Sequence, residues 1–124
     1  MNFKENKPIY QQIADHICDE IIAGKLAPDA RIPSVREYAA ELEVNANTVM
    51  RTFDTLQSLE IIYNKRGIGY FVDSDARAKI LQSRRNSFME EESQQFFRQA
   101  HSLGISVSEI TAMYQIYCNN QKNQ

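Results

Sequence analysis

No run of apolar residues in this 124-residue chain approaches the roughly 20 that a membrane-spanning helix requires, which argues against a helical membrane protein. The opening MNFKENKPIY carries charge but neither an apolar stretch nor a small-residue cleavage site, so the expected location is the cytoplasm. Cysteine is scarce: Cys18 and Cys118 stand far apart, with no CxxC pair and no neighbouring histidines. That leaves no metal-ligand set of the usual spacing, and it predicts two reduced, packed thiols and no metal or organic cofactor. A catalytic grouping is missing too. His16 falls on the first predicted helix and His101 at the end of the fourth, neither with a nucleophile and an orienting partner gathered around it, so no enzyme is expected. An excess of positive charge is also absent, with 14 Lys and Arg against 16 Asp and Glu and a formal net charge of -2. Residues 1–72 hold eight basic and ten acidic residues, so any nucleic-acid face must be local.

What is present is helical periodicity. Pro8 suits a first helical position, and Ile9, Ile13, Ile17 and Ile21 recur every four residues, with Tyr10, Ala14 and Ile22 beside them. Gly24 is a natural C-terminal stop and Pro28-Asp29 a turn. Arg31-Ile32 is extended because the residue before Pro33 is pushed out of the α region. Ser34-Val35-Arg36-Glu37 is a capping box that opens a second helix to about Leu42, with Val35, Ala39 and Leu42 inward. After the connection Glu43-Val44, Asn45 caps a third helix whose Val49, Phe53 and Leu56 share one side while Asn47, Arg51 and Ser58 share the other. Two β-rich runs, Ile-Ile-Tyr-Asn-Lys and Tyr-Phe-Val, then flank Arg66-Gly67-Ile68-Gly69 and read as a hairpin. Ser74 is the expected cap of a long helical stretch, about residues 75–102, with a polar middle at Ser83 to Ser87 that bends or loosens it. Leu103-Gly104 stops it, and Ser106 to Glu109 is a second capping box before a last helix with Ile110, Met113, Tyr114 and Tyr117 apolar and a frayed NNQKNQ tail.

The predicted fold is mainly α with a small β-hairpin: a winged helix-turn-helix domain over residues 1–74, then a short two-helix dimerisation tail over 75–124. In such a domain the third helix enters the major groove, where base pairs present distinctive donors and acceptors, and the hairpin follows the backbone or the minor groove. Lys65 and Arg66 then meet a phosphate, and Gly67 and Gly69 let the backbone turn and approach closely.

The chain resembles the GntR family of bacterial transcription regulators, in particular its short YtrA-type branch. The resemblance rests on Gly24-Lys25-Leu26 with Pro28, Ile32 to Ala39, Val44 to Val49 and Arg66 to Val72, and more loosely on Ser102 to Ser106. It departs at Asp29, where the family often has glycine, at Ala46, where this branch often has proline, and at Ile68, where a basic wing residue is common. The resemblance implies DNA contacts from Arg36, Asn45, Asn47, Thr48, Arg51, Arg66 and Gly67, a double-stranded operator as partner, and control of its own or neighbouring transporter genes. Arg36 and Asn45 also read as a solvated helix residue and a plain cap, and Asn47 with Arg51 as a solvated surface. Phe88, Phe96, Phe97, Met113, Tyr114 and Tyr117 exceed what two helices bury against each other, which points to a homodimer, the alternative being a pocket for a small-molecule effector. Glu90-Glu91-Glu92 splays around a helix and reads as a charge run rather than a metal site. A competing function is a winged-helix protein-interaction module without DNA binding, favoured by the net charge and Ile68.

Overall fold

The computed structural model describes residue 3 and residues 6–122. The elements are α1 (Ile9–Ile22), α2 (Val35–Leu42), α3 (Ala46–Ser58), β1 (Ile62–Lys65), β2 (Gly69–Val72), α4 (Ala76–Ser87), a π turn (Phe88–Glu92), α5 (Ser93–Ser102) and α6 (Val107–Lys122). Two compact units divide them, one ending at Ser83 and one starting at Arg84.

The first unit is organised around Phe53. Its ring lies edge-on to Tyr70 at 4.8 Å and to Tyr38 at 6.0 Å, so one aromatic of α3 ties the hairpin and α2 together. Around it Ile13, Ile17, Val49, Leu56, Ile62 and Val72 are buried, and Ala76 and Ile80 of α4 close the same cluster. Tyr38 is the one buried residue of α2, while the expected inward residues Val35, Ala39 and Leu42 pack at the edge of the core. The hydrophobic period counts aliphatic positions, and here a single large ring carries the anchor instead. Ile9, expected in the apolar stripe of α1, is 45% exposed because the stripe enters the core only from Ile13 onward.

The turns follow from backbone conformation. Ser34 accepts from the Glu37 N–H at 3.1 Å and the Glu37 carboxylate accepts from the Ser34 N–H at 3.2 Å, completing the expected capping box. Glu43 in the left-handed region (φ 56°) closes α2 and makes the short connection to α3. Asp29 is also left-handed (φ 62°), which explains why glycine suits that position. Residues 29–32 run beside β2: Asp29 N–H donates to the Val72 carbonyl at 2.8 Å, Val72 N–H to Ala30 at 2.9 Å and Ile32 N–H to Tyr70 at 2.9 Å. The side chain that orders the turn into α4 is Asp73, whose carboxylate accepts from the Asp75 N–H at 2.9 Å and from the Lys79 ammonium at 3.0 Å. A carboxylate two residues upstream of an N–H makes a tighter turn than a hydroxyl beside it.

In the second unit the helix widens at Phe88–Glu92, one turn after the polar stretch where a bend is expected. The Ser93 hydroxyl donates to the Met89 carbonyl at 2.7 Å, a back-bond of the kind that loosens a helix. Glu90, Glu91 and Glu92 are exposed. Glu109 N–H donates to Ser106 Oγ at 3.1 Å, and the Glu109 carboxylate takes the Ser106 hydroxyl at 3.3 Å. This cap starts α6, which stays helical to Lys122 rather than fraying at Asn119; residues 123 and 124 lie outside the described residues.

Candidate nucleic-acid interface

One side of α3 is committed to the core. Val49, Thr52, Phe53 and Leu56 are buried at i, i+3, i+4 and i+7, which turns Asn47 and Arg51 outward and leaves Thr48 at the margin. Asn45 is the N-cap, its Oδ1 accepting from the Asn47 N–H at 2.8 Å, so its side chain already has a structural partner. Asp54, exposed one turn beyond Arg51, brings a negative charge that would repel phosphate, which limits the favourable surface to the first half of the helix.

Arg51 does not project alone. The Thr52 hydroxyl donates to the Tyr10 carbonyl at 2.8 Å and fixes the start of α1 against α3. The Tyr10 ring then lies beneath Arg51, whose guanidinium carbon is 4.0 Å from the ring centroid, a cation–π contact. Pro8, Ile9 and Tyr10 together with Asn47, Thr48 and Arg51 line an open groove of about 420 Å³. Sequence periodicity places Tyr10 merely beside an apolar stripe. The pairing joins two helices distant in the chain, and no local pattern carries it.

The wing is a two-stranded antiparallel hairpin in register Ile62↔Val72, Tyr63↔Phe71, Asn64↔Tyr70 and Lys65↔Gly69. Ile62, Tyr70 and Val72 face the core, and Tyr63 stacks on Phe71 at 5.7 Å on the outer face. The tip closes by the Ile68 N–H donating to the Lys65 carbonyl at 2.9 Å, with Gly67 at φ 80°, a conformation that favours glycine. Lys65 and Arg66 are exposed, the Lys65 ammonium standing 4.5 Å from the Phe71 centroid, and Ile68 is 57% exposed at the tip. At Gly69 (φ 144°) a Cβ would come within 2.9 Å of Arg31 Nε.

The acidic sum of the chain does not cancel this surface. The ion pairs Lys7–Asp15 at 2.6 Å and Lys79–Asp73 at 3.0 Å, and the His16–Glu20 contact at 3.3 Å, involve none of its expected DNA-contacting residues. Among the described residues Arg36, Arg51, Lys65 and Arg66 have no ion-pair partner, so their charge is available to an external anion. Of the residues expected at the interface, Asn47, Thr48 and Arg51 share one groove, Lys65, Arg66, Gly67 and Gly69 share the hairpin, and Arg36 is exposed in the first turn of α2.

In the second unit all six expected dimerisation residues line one apolar groove. Phe88, Phe96, Phe97, Met113, Tyr114 and Tyr117, with Ile110, surround about 760 Å³. Phe96 and Phe97 meet edge-on at 5.9 Å, yet α6 has no buried residue along its 16 positions.

Three helices with a tight second connection and a hairpin after the third define a winged helix-turn-helix, and residues 9–72 match the profile of the bacterial regulatory proteins of the gntR family. The chain belongs to the GntR family of transcription regulators, which is not a family of enzymes. It is 27% identical over 107 residues to the HTH-type transcriptional repressor YtrA of Bacillus subtilis (strain 168), covering 86% of this chain and 82% of that protein, so the likeness extends into the tail. A GntR-family crystal structure from Bacteroides thetaiotaomicron is 54% identical with a TM-score of 0.82, covering 91% of this chain and 98% of the other. The crystal structure of AraR(DBD) in complex with an operator matches at 29% identity and a TM-score of 0.53, covering 58% of this chain and 87% of that one.

Proposed function

We propose that this transcription regulator is a cytoplasmic homodimeric repressor that binds an inverted-repeat operator. One observation carries the reading: α3 buries one side completely and presents Asn47, Thr48 and Arg51 on the other, beside a hairpin bearing unpaired Lys65 and Arg66. In the major groove Asn47 pairs with adenine and Arg51 with guanine, while Thr48, Arg36, Lys65 and Arg66 take phosphates and the Gly67 and Gly69 backbone passes close to the sugar-phosphate chain. Asn45 contributes mainly by capping, since its oxygen is held by Asn47.

The dimer reading is supported by the tail. A 16-residue helix with Met113, Ile116, Tyr114 and Tyr117 all exposed presents apolar side chains that a second copy would cover by two-fold symmetry. Two heads held together then read two half-sites related by the same symmetry. Recovering bound fragments from genomic and random DNA with the purified protein tests this reading. An inverted repeat is the expected product. A single half-site as the only enriched sequence argues against the dimer, and no enrichment over random DNA argues for a winged-helix module that binds protein instead.

A further inference from the structure

Arg31 stands three residues ahead of Ser34, where the α2 capping box opens. Its backbone forms an antiparallel bridge with Phe71, flanked by the hydrogen bonds from Val72 to Ala30 and from Ile32 to Tyr70. Bridged residues point to the same face of a sheet, so Arg31 shares the outer face of the wing with Phe71, Tyr63 and Lys65. The guanidinium lies along that face over Gly69: a Cβ there would stand 2.9 Å from Arg31 Nε and 3.5 Å from both Cζ and Nη2. Gly69 is the cross-strand partner of Lys65. The absence of a side chain at Gly69 is what lets the arginine lie flat between strand and solvent.

We propose that Arg31 is a phosphate-binding residue at the root of the wing, seated by Gly69; the inference rests on the DNA-binding reading above. Arg31 is exposed and, among the described residues, has neither an ion pair nor a hydrogen bond from its side chain. An arginine pressed on backbone with its charge unused is prepared for an outside anion, and its planar fork matches phosphate in two-point fashion. Arg36, five residues later in the chain, and Lys65, the cross-strand partner of its seat, are the phosphate contacts of the reading above. Ile68 brings no charge to the wing tip, and Arg31 supplies the cation one strand-width back.

The test is the salt dependence of binding by the full-length protein, with Arg31→Ala, Arg31→Gln and Arg31→Lys titrated against the selected operator and a random duplex. Arg31→Gln keeps the polar stem and guards against loss of the fold, which circular dichroism checks. Arg31→Ala and Arg31→Gln are expected to weaken both duplexes alike, on the order of tenfold, and to lower the slope of log K against log salt by about 0.9 for each protomer bound. Arg31→Lys keeps the slope. An unchanged slope in folded Arg31→Gln overturns the proposal even if affinity falls, because a packing role does not move that number. The wild-type titration reports separately on the parent reading: no binding to any duplex removes the regulator proposal before the variants are compared.

Discussion

The two units of this chain treat apolar surface in opposite ways. In the first, Ile13, Ile17, Val49, Phe53 and Val72 are fully buried, and the polar Thr52 is buried with its hydroxyl bonded. In the second, Tyr114 is 68% and Ile116 60% exposed, and among its described residues only Ser93 and Ala100 are buried. A closed core is complete in itself, whereas an open apolar groove is complete only when something fills it. The winged helix is therefore expected to fold alone, and the tail to acquire its packing from a second copy.

Truncation after Ser83 breaks the comparison most sharply. The cut keeps Ala76 and Ile80, which belong to the core, and so falls later than the end of the hairpin. The shortened chain should sediment as a folded monomer. Losing the effective concentration supplied by its partner should cost at least about a hundredfold at a full operator while sparing most single-half-site affinity. A truncated chain that remains dimeric places the interface in the winged helix.

Within each unit a single substitution sharpens the contrast. Phe53→Ala should destabilise by about 3 to 5 kcal/mol, read by urea unfolding, because it removes the ring joining α2, α3 and the wing. Tyr114→Ser should change no core contact and instead raise the dimer dissociation constant, read by sedimentation at several concentrations. An equal loss of unfolding stability in the two variants would contradict the division between a closed and an open unit.

At the interface, Arg51→Ala should cost about 1 to 3 kcal/mol at the operator and relax choice at one base position, while Arg66→Ala should weaken all sequences alike and lower the salt slope by about one. Tyr10→Leu, which removes the ring under Arg51, should give a smaller loss of about 0.5 to 1 kcal/mol at that same base position, and Tyr10→Phe should restore it. The smallest expected effect is at Asp73. The Asp75 N–H, and after it the Lys79 ammonium, holds its carboxyl below the ordinary carboxylate value. That contribution to stability is present at neutral pH and is lost as pH falls through the lowered value. Asp73→Ala should lower Tm by a few degrees at pH 7, about 1 kcal/mol for the lost turn hydrogen bond, and by less at pH 3.

What the sequence made legible is what local chemistry controls. Both Ser-x-x-Glu boxes cap their helices, the glycines at the wing tip take the positive φ that the hairpin turn needs, and the six tail residues gather in one groove because they repeat at helical spacing. The features that stayed hidden depend on partners distant in the chain or on backbone detail below the resolution of periodicity. Tyr38 anchors α2 through Phe53, Tyr10 supports Arg51 across two helices, and Arg31 uses an empty place at Gly69, none of which leaves a local pattern. The π turn at Phe88 falls where the residues are hydrophobic and acidic rather than in the Ser- and Arg-rich stretch before it, so composition pointed one turn too early.

In the proposed mode of action, two copies of this chain, joined by their tails, read two related half-sites through α3 and the wing. Sedimentation of the intact protein with a labelled duplex from the selection experiment, at a protein concentration near the dissociation constant, tests it most directly. A complex of two protomers on one inverted repeat is expected, with a large loss of affinity when one half-site is scrambled. A complex of one protomer, or equal affinity for the intact and scrambled duplexes, would contradict it.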